Sequence, residues 1–140
     1  MEILNELTDE LLNVLLENSR QTYQKDLTEF THGELSILKY LRDEGSGLPA
    51  GEFSKSLGMT LPRMSAAISG LVKKGLVSKL TDSVDRRKIR IHITHEGINY
   101  VNRTEDALRG QIADIVARLG QDETEEYMRI LEKIRRIHPA

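Results

Sequence analysis

The chain has no cysteine and no tryptophan, and only two phenylalanines among its 140 residues. Without thiols there are no disulfides, no thiolate metal sites and no cysteine redox switch. With so few large aromatics, stacking platforms for single-stranded nucleic acid are not expected. Three prolines and ten glycines are too few for a low-complexity linker. No apolar run reaches the length of a membrane span, and the opening Met-Glu-Ile-Leu-Asn-Glu lacks the basic region of a secretory signal. A cytoplasmic protein without membrane association is therefore expected. Catalytic patterns are missing too: no nucleophile–base set, phosphate loop or paired-carboxylate spacing stands out, so the reading is not an enzyme. His32, His92, His95 and His138 include no helical pair, and no metal or other cofactor is predicted.

What is present is a charge imbalance along the chain. From Glu52 to Arg90 nine basic residues face three acidic ones, a net of +6, while the rest carries 11 basic and 19 acidic groups. One basic block in an otherwise acidic chain suits a polyanion-binding surface.

The periodicity reads as mainly helical with a small wing of two or three strands. Ile3 to Leu16 carries a helical apolar stripe, and this helix is expected to run past Tyr23. Thr31 and Glu34 predict a capping box, with Phe30 stapled onto Leu35 and a helix along Leu35, Leu38 and Leu41 to Gly45. His32 would sit in that helix's first turn. A short helix from about Pro49 to Leu57 buries Phe53 and Leu57 and closes at Gly58. Thr60 caps the next helix, with Pro62 in its first turn and Met64, Ile68, Leu71 and Val72 facing inward. The period then changes to two: Leu76–Leu80 and Ile89–Ile93 predict a hairpin around a polar loop. Thr94 caps a long helix broken at Gly120, and Asp122 with Glu125 starts a last one.

Helix, turn, helix and basic hairpin in that order suit duplex DNA. The outward face of the helix from Thr60 to Lys74 carries small residues that let a backbone approach a major groove. Arg63, Ser65 and Ser69 are placed to reach base edges. Lys55, Lys73, Lys74 and Lys88 are candidate phosphate contacts, and Thr60, at the start of the helix, is a further candidate DNA-binding residue. In the hairpin, Arg86 and Arg87 lie near the tip, and Asp85 can fork one of them while leaving the other for a minor groove. A winged-helix module for protein contacts, without sequence-specific DNA binding, is the alternative.

Gly75-Leu76-Val77, Asp82-Ser83-Val84-Asp85-Arg86-Arg87 and Ile93-Thr94-His95-Glu96-Gly97 together resemble the wing signature of the MarR family of bacterial transcription regulators. Phe53 to Thr60 resembles that family's first helix-turn-helix segment. Pro62 departs from the pattern. The resemblance implies a winged helix-turn-helix homodimer on a pseudo-palindromic operator, a repressor being expected. Dimerisation helices would occupy residues 1–30 and 96–140, flanking a DNA-binding lobe over 31–95. It assigns Arg86 to the minor groove, with Asp85 and Arg87 as its supports. It also implies a pocket for a small-molecule effector of anionic aromatic type, with no ligand residue assigned.

Overall fold

The computed structural model describes residues 1–139. Its order is α1 (Glu2–Asn18), α2 (Thr22–His32), α3 (Glu34–Glu44), β1 (Leu48–Pro49), α4 (Ala50–Leu57), α5 (Leu61–Lys73), β2 (Val77–Thr81), β3 (Ile89–Ile93) and α6 (His95–Ile137). The helical course of α6 is interrupted at Gly120, whose φ of 83° and ψ of 175° leave the helical region. The chain divides into two compact units, residues 1–105 and the residues from Asp106 onward.

In the first unit one core joins α3, α4, α5 and the sheet. Ile37, Leu38, Leu41, Phe53, Met64, Leu71, Ile91 and Val101 are fully buried in it. Met64, Ile68 and Leu71 recur at helical spacing, which turns the opposite face of α5 outward. Val72 was expected in that stripe but is 39% exposed, one position beyond the buried arc. Leu57 is only half-buried.

The sheet is antiparallel, in the order β1-β3-β2. Val77 pairs with Ile93 and Thr81 with Ile89, so residues 82–88 form the hairpin loop. Two-residue β1, which the periodicity could not reveal, pairs Leu48 with Ile91 and Pro49 with Arg90. Proline is tolerated there because the strand is an edge.

Thr94 secures the wing to α6. Its hydroxyl donates to the Gly75 carbonyl at 2.7 Å and accepts the Gly97 N–H at 3.0 Å, and its own N–H donates to the Leu76 carbonyl. A Cβ on Gly97 would collide with that same Leu76 carbonyl, so glycine lets α6 start this close to the strand.

Three expectations fail at the N-terminal end. The first helix does not run past Tyr23: α1 stops at Asn18, and Tyr23 belongs to α2. Tight bonds from the Arg20 and Gln21 N–H groups to the Glu17 and Asn18 carbonyls close the turn, and the Ser19 hydroxyl caps the Leu16 carbonyl at 2.7 Å. The capping box is not made. Thr31 stays inside α2, its hydroxyl bonded back to Leu27 and Thr28, and Gly33 takes the N-cap position of α3. Glu34 is drawn away by Lys74, as described below. His32 consequently lies in the last turn of α2 rather than a first turn. At the other end, Glu125 accepts from the Gln121 amide at 3.1 Å.

Among the described residues, no helix is long and apolar enough to cross a membrane.

Candidate nucleic-acid interface

The α4–α5 turn is set by two local devices. Gly58 takes a left-handed φ of 64°, ending α4, and the Ser54 hydroxyl bonds the Met59 carbonyl at 2.7 Å. Thr60 then caps α5 by accepting the Arg63 N–H, with Pro62 in the first turn where a missing N–H is harmless. The result presents Leu61, Pro62, Arg63, Ser65, Ala66, Ser69 and Lys73 to solvent. Arg63, Ser65, Ser69 and Lys73 therefore stand on exposed surface, and so do Lys55 on α4 and Thr60 at the cap.

Lys74 is placed differently. Its ammonium meets both carboxylate oxygens of Glu34 at 3.0 Å, tying the end of α5 to the start of α3. Its side chain remains 61% exposed, so this ion pair is a surface one, worth little by itself.

The wing loop is held by carboxylates. One oxygen of Asp82 accepts the Val84 N–H at 2.8 Å, and the other accepts from the Arg90 guanidinium at 3.1 Å. Arg90 also donates to the Gly47 carbonyl at 2.8 Å, linking the loop to the chain before β1. Asp85 accepts both the N–H and the guanidinium of Arg87, at 3.1 and 3.2 Å. The expected carboxylate–arginine support thus falls on Arg87, through its Nε alone rather than a two-pronged fork. Arg86 and Lys88 are exposed, and neither forms an ion pair among the described residues.

Arg90 counted in the sequence as one more basic group, yet its guanidinium is spent on Asp82 and Gly47. Lys55, Arg63, Lys73, Lys79, Arg86 and Lys88 remain without an ion pair among the described residues. Every one lies on α4, α5 or the wing, so the positive potential concentrates on these elements.

The Asp82 carboxyl is held below its ordinary 3.8, first by the Val84 N–H and further by the Arg90 guanidinium, against an opposing desolvation effect. A depressed folded-state value stabilises the wing above the unfolded pKa, near 3.9, and that contribution fades as pH falls through the folded one. The Val84 amide resonance is therefore expected to stay constant from about pH 8 to 5 and to move below about pH 4. A transition near pH 6 would contradict this assignment.

Tyr40 lies against a shallow cavity of about 170 Å³ lined also by Phe30, Ser36, Lys39, Asp43, Glu44 and Leu57. Its hydroxyl lies 3.1 Å from Ser56, and its ring packs edge-on against Phe53. Tyr23 bonds Asn18 within the α1–α2 turn, and Arg20 pairs with Glu17. No three metal-ligating side chains cluster among the described residues.

These elements define a winged helix-turn-helix protein: α4 and α5 are the paired helices, and β2–β3 with their loop are the wing. Residues 30–89 match the model of the MarR family. A Bacillus subtilis (strain 168) protein described as an uncharacterized HTH-type transcriptional regulator, YpoP, is 33% identical over 69 residues. That alignment takes in 49% of this chain and 48% of the relative, so the chain spans about half the length of the curated relative it matches. Among solved structures, the fold resembles the YusO protein of B. subtilis with a TM-score of 0.73 at 19% identity, covering 96% of each chain. It also resembles the F27L mutant of S. aureus MepR bound to an oligodeoxyribonucleotide, with a TM-score of 0.62 at 24% identity. That match covers 91% of this chain and 94% of the other.

Proposed function

We propose that this protein is a sequence-specific duplex-DNA-binding transcription regulator, acting as a homodimeric repressor on a pseudo-palindromic operator. One observation carries the reading: the unpaired cations of the basic block lie on the reading helix, the helix before it and the wing, around an α5 surface where Ser65, Ala66 and Ser69 are small and exposed. Arg63, Ser65 and Ser69 take the base edges of the major groove. Arg86 enters the adjacent minor groove, with Asp85 and Arg87 shaping the loop that carries it. Lys55, Thr60, Lys73 and Lys88 contact phosphates, with Lys74 contributing charge from beside Glu34. The family resemblance supports the same assignment.

The apolar surface left open supports dimerisation. No residue of α1 is buried, and its eight large apolar side chains from Ile3 to Leu16 are 54–70% exposed. In the second unit Met128, Ile130, Leu131, Ile134 and Ile137 are also exposed. A second copy covers such faces and brings two reading helices to half-sites about 34–36 Å apart, one DNA turn. We assign residues 1–30 and 96–140 to this dimerisation role and 31–95 to DNA. A small anionic aromatic effector that prefers a dimer with the wrong helix spacing would release the operator.

The test is to retain fragmented genomic DNA on the protein at moderate salt and sequence what stays. An inverted repeat supports the regulator, whereas no enrichment leaves a protein-contact module. On the recovered operator, Lys73→Ala is expected to weaken all sequences alike and to lower the salt dependence by about one counterion per protomer. A change of sequence preference instead would move Lys73 to base readout.

A further inference from the structure

The wing carries an apolar side chain with no structural use. Val84 is 93% exposed, the largest exposure of any bulky hydrophobic residue after the N-terminal Met1. Its loop offers it no packing, and a β-branched residue brings a tight turn none of the benefit that glycine or asparagine would. Yet its backbone is fixed. The Val84 N–H is held by Asp82 at 2.8 Å, Asp82 by Arg90 at 3.1 Å, and Arg90 by the Gly47 carbonyl at 2.8 Å. Two residues on, Arg86 is exposed and has no ion pair among the described residues. The tip therefore pairs a free hydrogen-bond donor with a preset apolar surface.

A minor groove distinguishes those two chemistries. Over A·T pairs its floor shows only acceptors, adenine N3 and thymine O2, whereas a G·C pair adds the guanine 2-amino donor. Arg86 can serve the acceptors. Val84 has nothing to offer an amino group, which would be stripped of water and left unpaired beside it. We propose that Val84 makes the wing selective for A·T pairs by denying the 2-amino group of guanine any acceptor. The proposal rests on the operator-binding reading above and names a base-pair preference for the wing within it. The surrounding cations supply the complementarity that brings a duplex, rather than an apolar protein surface, to this tip.

The experiment uses the full chain and the operator recovered from genomic DNA. Adenines in the tracts flanking the half-sites are replaced by 2,6-diaminopurine, which adds the minor-groove amine and leaves the major-groove edge unchanged. At a wing-contacted position the wild type is expected to bind about 5- to 10-fold more weakly, the lower range for an unpaired donor because the groove stays partly wet. Val84→Ser supplies a hydroxyl acceptor and should bring the penalty below about 2-fold. With Val84 this exposed, the variant should fold as the wild type does. The absence of any diaminopurine penalty, or an equal penalty in Val84→Ser, overturns the proposal while leaving operator binding intact. Failure to recover any operator brings down the regulator reading and this inference together.

Discussion

Arg86→Ala is expected to weaken operator binding by about 2–6 kcal/mol, because the proposed dimer would lose the wing contact on both protomers and each is worth about 1–3 kcal/mol. In dissociation constants that is roughly 30-fold to 10⁴-fold. The loss should concentrate on the flanking sequence and relax its A·T preference. Thermal stability should not change, since Arg86 is exposed and bonds nothing that holds the loop together. Arg87→Ala provides the contrast. Its guanidinium leans on Asp85, so its removal loosens the tip rather than deleting the groove contact, and a smaller loss is expected. Fluorescence anisotropy on a labelled operator separates the two. Equal affinities for Arg86→Ala and wild type would remove the wing from the interface.

Replacing both Leu11 and Leu15 by glutamate is expected to convert the proposed dimer into monomers. The two residues are 56% and 57% exposed on α1, one turn apart. Burying a fully exposed leucine contributes about 1.5–3 kcal/mol, and with a little over half of each side chain still open, the four leucines of a symmetric interface contribute about 3–7 kcal/mol. Charge on the same surface adds a desolvation cost. A loss of that size raises a dimer's dissociation constant by more than about 100-fold. Sedimentation velocity should show the variant at half the wild-type mass. Operator affinity should fall with it, since each monomer then engages one half-site without its partner's contribution. A variant that remains dimeric would move the interface away from α1.

The sequence was most readable where one residue type has one geometric use. Thr60 before Pro62, the left-handed Gly58, and Thr94 before the buried Gly97 all mark boundaries the structure keeps. Alternation in Ile89–Ile93 located the hairpin, although only Ile91 is fully buried on it. Legibility failed where two partners competed for one side chain. Glu34 fits a capping box locally, but Lys74, forty residues away, takes its carboxylate. Thr31, expected to cap α3, instead bonds back to the Leu27 and Thr28 carbonyls, because a hydroxyl can cap a helix start or bond back to a carbonyl within one. Arg90 counted as one more charge of the basic block and is instead a strut between Asp82 and Gly47. Local spacing cannot show a bond between residues 43 positions apart.

The central claim, that α5 and the wing of each protomer enter adjacent grooves of one duplex, is tested most directly by hydroxyl-radical footprinting on the selected operator. Protected sugars should appear in two tracts symmetric about the dyad, each extending outward into a minor groove. The outer edge of each tract should vanish in Arg86→Ala while the inner part persists. A single unsymmetric tract, or outer edges indifferent to Arg86, would contradict the account.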